Sequence, residues 1–517
     1  MFLRQRHFTR TRSRRRPSGC LLAAWLLSAL MAGPARADSS PQALRDTPLP
    51  APVSEALAAA GIPEQHFAAM VVPVDGLIGP RVQHRADELV NPASVMKLVT
   101  TYAAMDMLGP DFTWTTRFYV DGDIADGVLY GNLYIRGGGD PKLVLERIQE
   151  TFWALHSKGV QVILGDMVLD HSAFDLPPHD PAAFDGEALR PYNAAPDGLL
   201  VNFKSVILKF EPDRRAGVAR VTSEPPLAGL DIQETIPLAG GGCGDWRGGL
   251  AADYSKPEKI RFEGRYPRRC GKQLWAVAYQ DPDTYSARAL EGLWRASGGA
   301  LTGHSRYGLT PPGLKLLHEA HSLPLKDIIA DVNQWSNNVM AQQVFLTLGQ
   351  VAPDQVQELR AADGPLTPMR KGRFEHSKEV LRNWWVRTLG LRYSTPVVEN
   401  GSGLSRTERL TPGALAALLL KAAQHPHGQA FVDSLSVAGV KGTAARIARS
   451  PNNAAHGKAW LKTGTLDDVS GVAGYVQALD GQRYVIAAFV NDAQARQGRP
   501  ALDALVEWTA SLGATRP

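Results

Sequence analysis

The sequence predicts a multidomain chain of mixed α+β and α/β character, in which a helix-rich part ending in a strand meander is interrupted by a β-rich region. Three observations predict it. At 517 residues the chain is too long for one hydrophobic core, so two or three domains are expected. The texture changes from helical spacing to short alternating segments near residue 111, and back to long helical runs near 320. The last third then closes with two apolar runs joined through Asp480-Gly481, a strong hairpin signal.

Taken in order, residues 1–37 carry eight arginines and no lysine or acid, followed by the apolar run Cys20–Ala32 and the small-x-small site Ala35-Arg36-Ala37. This is the pattern of a secretory signal cut before Asp38. The apolar run is too short to span a bilayer, so no stable membrane anchor is expected. Arg14-Arg15-Arg16 leaves the export route open, and Cys20 begins the apolar run rather than ending it, which argues against lipidation. Without the eight leader arginines the formal charge of +5 becomes −3, so the basicity belongs to the leader and no nucleic-acid partner is expected. Export leaves Cys243 and Cys270, which in an oxidising compartment predict one disulfide, with two unpaired thiols as the alternative. Two cysteines without nearby histidines are too few for a zinc site; neither metal nor cofactor is expected.

The apolar stretch His66–Val74 reads as a strand, and Asn91-Pro92 announces a helix opening at Ser94 and ending at Gly109-Pro110. From 111 to 319 short alternating segments dominate, interrupted by helical stretches at about 142–157 and 283–297. Beyond 320 the spacing predicts helices over 325–347, 376–389 and 411–424. The strands Lys458–Gly464, Ser470–Leu479 and Arg483–Val490 follow, then a helix over about 499–512. The domain reading is therefore 38–110 with 320–517 as one discontinuous domain and 111–319 as inserted β-rich material.

Three motifs carry the chemistry. Ser94-Val-Met-Lys97 puts an amine one helical turn from a hydroxyl, and a hydroxyl becomes a nucleophile only when a base takes its proton. Ser336-Asn-Asn338 offers a proton relay and an amide, and Lys462-Thr463-Gly464 a cation on a strand with a glycine that permits close approach. Thr463 would hold a carboxylate, and the Thr465 and Ser94 N–H groups would form an oxyanion site. Each motif alone has a bland reading: an exposed helix face, a Ser/Asn helix break, a strand-edge lysine. Ser94-x-x-Lys97 and Lys462-Thr-Gly464 each occur once in the chain, and all three stand in one order.

That ordered set resembles the penicillin-interacting serine acyl-transferases, the β-lactamases and penicillin-binding proteins. The 242 positions from Ser94 to Ser336 narrow the resemblance to the class C low-molecular-mass penicillin-binding proteins, the DacB-type D-alanyl-D-alanine carboxypeptidase/endopeptidases. Gly137–Pro141, Gly165–Asp170, Gly401–Arg406 and Lys441–Thr443 look like segments of that family. The resemblance implies a β-lactamase-like transpeptidase domain with an antiparallel sheet flanked by helices, acting in the periplasm on peptidoglycan stem peptides and cross-links and acylated by β-lactams. It implies catalytic roles for Ser94, Lys97, Ser336, Asn338 and Lys462. It also implies a side-chain subsite, with Arg406 as its arginine, Tyr192 as its aromatic and Glu187 or Asp185 as its acid. Asp467 departs from the family's familiar amide, which puts side-chain preference in question. The rivals are a β-lactamase or esterase on the same site, separated by rapid penicillin turnover, and a cell-wall scaffold, excluded by D-alanine release. Oligomeric state is not legible.

Overall fold

The coordinates are a computed structural model that describes residues 46–76, 79–350 and 370–514. The expected export leader and its expected cut before Asp38 lie outside the described residues.

A six-stranded antiparallel sheet organises the helix-rich part. Its strands are β1 (Phe67–Pro73), β2 (Val82–His84), β3 (Ser436–Val437), β4 (Ala459–Thr465), β5 (Val469–Gln477) and β6 (Arg483–Asn491), in the order β2-β1-β6-β5-β4-β3. The Asp480-Gly481 hairpin pairs Gln477 with Arg483, as the sequence predicts. β5 and β6 are buried almost end to end because helices cover both faces, which is why they read as continuous apolar runs.

Helices α1 (Ala51–Ala59) and α7 (Arg499–Ala510) cover one face and share a core with Phe67, Leu461 and Ile486. The other face carries α2 (Lys97–Leu108), α3 (Leu325–Trp335), α4 (Asn338–Leu348), α5 (Phe374–Leu389) and α6 (Pro412–Gln424), around Leu98, Val344 and Trp385. α2 is buried along nearly its whole length, so its register is fixed by packing from several sides. No helix among the described residues is long and apolar enough to cross a membrane.

One helix expectation fails. The run read as a single helix over 325–347 is two, and the break falls at the Ser336 motif. Ser336 adopts a left-handed φ of 60°, and Asn337 caps α4 by accepting from the Met340 N–H at 3.1 Å. Serine and asparagine side chains bond local backbone in place of the helical ladder, and here that competition wins.

The buried members of a further core lie between residues 118 and 301, among them Phe152, Phe210, Tyr266 and Trp294, with Tyr307, Leu317 and Ala320 packed against them. Four smaller sheets surround it, with helices at Leu145–Ser157 and Pro282–Ala296. Cys243 and Cys270 form the expected disulfide there. This region docks on α4: the Gln343 side chain donates to the carbonyls of Gly139 at 3.1 Å and Asp197 at 2.9 Å, and accepts from the Asp197 N–H at 2.9 Å.

Candidate active site

Local structure brings the three motifs to one place. Ser94 lies in a tight turn, Ala93–Met96, feeding directly into α2, and Lys97 begins that helix. Lys97 Nζ is fully buried, 3.0 Å from Ser94 Oγ, and donates to Asn338 Oδ1 at 2.6 Å and to the Ser402 carbonyl at 2.5 Å. The helix break sets Ser336 and Asn338 to different tasks. Asn338 turns inward onto Lys97, while Ser336 Oγ accepts from Lys462 Nζ at 2.9 Å.

Lys462 sits on β4, equally buried, and also donates to the Thr463 carbonyl at 2.6 Å. Thr463 Oγ1 donates to Thr443 Oγ1 at 2.9 Å. Gly464 runs so close to the Ser94 turn that a Cβ there would lie 2.7 Å from the Pro92 carbonyl and 3.1 Å from the Ser94 nitrogen. Only glycine lets the strand edge approach this near. Thr465 is half-buried, and its hydroxyl accepts from Arg499 Nη2 at 3.3 Å.

Burial controls the electrostatics. Desolvation holds the Lys97 amine well below its ordinary value; the Lys462 charge pushes the same way and the Glu408 carboxylate opposes it. Desolvation also lowers Lys462, to about 7. The lowering at Lys97 favours its free amine, the state in which a lysine can take a serine proton.

Residues 49–512 match the D-Ala-D-Ala carboxypeptidase 3 (S13) family. The chain belongs to that family. It is accordingly a serine-type D-Ala-D-Ala carboxypeptidase. It is 23% identical over 401 residues to the D-alanyl-D-alanine carboxypeptidase DacB of Haemophilus influenzae, covering 77% of this chain and 80% of that one. It is 27% identical over 440 residues to the D-alanyl-D-alanine carboxypeptidase of an Actinomadura species, covering 80% and 76%. The crystal structure of penicillin binding protein 4 (dacB) from Haemophilus influenzae shares the fold. Its TM-score is 0.69 at 20% identity, over 89% of this chain and 99% of that one. The same protein complexed with a β-lactam gives a TM-score of 0.64.

Within this S13 chain the expected subsite residues separate into two groups. Arg406 Nη1 pairs with Asp468 at 2.9 Å, and its Nη2 lies 3.8 Å from Asp467, which pairs more closely with Arg496 at 2.6 Å. The Arg406 guanidinium also stacks over the Phe184 ring, 4.6 Å from its centroid. Phe184 in turn packs with Leu404 against Ala93, Leu466 and Val469, beside the nucleophile's turn. Tyr192 and Asp185 bond each other, Oη to Oδ2 at 2.7 Å; burial first and then that bond raise the tyrosine to about 12. The Tyr192 carbonyl accepts from Asn338 Nδ2 at 3.1 Å, tying this loop to the Lys97–Asn338 cluster. Glu187 pairs locally with Arg190 at 3.2 Å.

Sequence reasoning passed over Phe184, Asp468, Ser402, Thr443 and Glu408. Ser402 and Thr443 lie inside segments already noted as family-like, and Asp468 directly follows Asp467. Those neighbours were the available signal. Phe184 had none, since only the fold brings its loop to Arg406.

Proposed function

We propose that this S13 carboxypeptidase cleaves the terminal D-Ala-D-Ala bond of peptidoglycan stem peptides, and the related bond in cross-links, through an acyl-enzyme on Ser94. The observation that carries the reading is the buried relay itself: Lys97 Nζ at 3.0 Å from Ser94 Oγ, with Lys462 Nζ at 2.9 Å from Ser336 Oγ. Lys97 takes the Ser94 proton as Oγ bonds to the scissile carbonyl carbon. The Ser94 and Thr465 N–H groups receive the oxyanion, at the strand edge that Gly464 keeps open. The C–N bond then breaks as Ser336 gives its hydroxyl proton to the departing D-alanine amine and regains one from the Lys97 ammonium; water then adds to the ester, with Lys97 taking its proton and returning it to Ser94 Oγ as the ester C–O bond breaks. Lys462 and Thr463 bind the terminal carboxylate, and Asn338 holds both the Lys97 amine and the substrate amide.

A β-lactam presents the same acyl chemistry and would leave Ser94 esterified. Arg406, Tyr192 and Asp185 would meet the side chain of the stem's third residue, with Asp467 and Glu187 at the rim. Residues 111–319 would act as inserted domains that build this wall while 38–110 and 320–517 carry the catalysis. The arginine-rich leader supports export to the periplasm. Release of D-alanine from a pentapeptide, lost in Ser94→Ala, tests the reading. A Ser94→Ala enzyme that still released it would defeat the assignment.

A further inference from the structure

A buried acid stands behind the base, outside all three motifs. Glu408 has no solvent exposure. Its Oε1 accepts from three consecutive backbone N–H groups, Glu399 at 3.0 Å, Asn400 at 3.1 Å and Gly401 at 3.1 Å. Its Oε2 has no hydrogen-bond partner among the described residues. A carboxylate buried with one oxygen bare is costly unless an opposite charge lies near.

The loop that Glu408 ties is the one that grips the nucleophile's helix. The Gly401 carbonyl accepts from Thr100 Oγ1 at 2.6 Å, and the next carbonyl, of Ser402, accepts from Lys97 Nζ at 2.5 Å. Gly403 then takes a φ of +78° and passes so near Ala93 that a Cβ would overlap its carbonyl. The loop is thus clamped to the nucleophile's turn on one side and gathered by Glu408 on the other.

Charge points the same way. When Lys97 takes the Ser94 proton it becomes an ammonium in a dry site that already holds Lys462. Lys462 disfavours that ammonium and Glu408 favours it. Of the other charged groups at this loop, Glu399 spends its Oε2 on the Ser405 and Thr407 hydroxyls, and Arg409 donates to the Arg406 and Glu408 carbonyls. Burial pushes the Glu408 carboxyl up, while the three N–H donors and Lys97 pull it back.

We infer that Glu408 is a positioning residue for acylation: it holds the Gly401–Gly403 loop so that the Ser402 carbonyl aims the Lys97 amine, and it supplies the counter-charge for the ammonium that forms there. The inference rests on the proposed role of Lys97 as base. It adds a residue that touches neither substrate nor reacting atom, and it makes the acid limb of the pH profile depend on a carboxylate.

The test is the second-order rate of acylation by a fluorescent penicillin, measured against pH for the full-length enzyme. Glu408→Gln keeps an acceptor oxygen and loses the charge. With a thermal unfolding curve that confirms folding, its acid limb moves to lower pH by about one unit and its plateau falls about tenfold. A folded Glu408→Gln with a profile superimposable on wild type overturns the inference. Glu408→Asp keeps the charge and withdraws the oxygen from its three donors, so it keeps the wild-type limb with a lower plateau. A displaced limb or an undiminished plateau in that variant also overturns it, and it decides the matter if the glutamine variant does not fold. Ser94→Ala run in parallel separates the two readings. Persistent labelling there defeats the serine site, whereas a clean control beside an unchanged Glu408→Gln defeats this inference alone.

Discussion

Gly464 is where one methyl group tests whether the strand edge and the nucleophile's turn form a single working part. In Gly464→Ala the new Cβ would sit 2.7 Å from the Pro92 carbonyl oxygen and 3.1 Å from the nitrogens of Ser94 and Val95. All three are backbone atoms, so no side chain can swing aside. Relief needs a movement of about half an ångström between β4 and the turn that carries Ser94. Overpacking of this kind costs about 1–3 kcal/mol of stability. Misplacing a reacting group by about 1 Å costs roughly a hundredfold in rate, so acylation by a fluorescent penicillin should fall about 10- to 100-fold. The control is Gly498→Ala, on the opposite face of the sheet, where a Cβ would lie 2.8 Å from Ile62 Cδ1 and 3.2 Å from the Val490 methyls. Because these are side-chain methyls that can shift, it should lose less stability, and it should acylate normally. Acylation of Gly464→Ala within about twofold of wild type, or an equal loss in the control, would refute the reasoning.

Four other outcomes are expected. As the proposed base Lys97 works unprotonated, so acylation should fall as pH drops through its lowered value. As the proposed carboxylate anchor Lys462 works charged, and burial lowers it to about 7, so KM for a D-Ala-D-Ala peptide should rise as pH climbs through that value. Steady-state kinetics across the range check both, and Lys462→Met should give a high KM without that rise. Asp468→Asn should release Arg406; because the pair is exposed, the gain on stem peptides with a free side-chain carboxylate is about two- to fivefold in kcat/KM, and no gain would remove Asp468 from the subsite. Cys243→Ser opens a bridge spanning 27 residues, worth about 3 kcal/mol to the inserted region. Limited proteolysis should cut that region faster while penicillin labelling holds, and lost labelling would show that the two parts are coupled.

That the three motifs meet was legible because they are short and their members need fixed spacing. Ser94 and Lys97 meet through one helical turn, and Lys462 and Gly464 share a strand whose hairpin partners are continuous apolar runs. The break at Ser336 was less legible. Leucine and valine spacing continues across it, and only the local competition of Ser336 and Asn337 for backbone groups ends α3. Glu408 was not legible at all: a lone acid in a polar loop reads as solvated, and only the fold buries it beneath three N–H groups. Phe184 was hidden for a similar reason, since its contact with Arg406 joins positions 222 residues apart. Asp467 was singled out for its departure from the family's amide, but the acid closer to Arg406 is its neighbour Asp468, because the strand-to-strand turn sets which acid faces the guanidinium.

The most direct measurement of the central claim is intact-protein mass spectrometry after incubation with benzylpenicillin, followed by peptide mapping. The account predicts one adduct of penicillin mass on the peptide containing Ser94, strongly reduced in Lys97→Met and absent in Ser94→Ala. An adduct on another residue, or one that survives in Ser94→Ala, would contradict it.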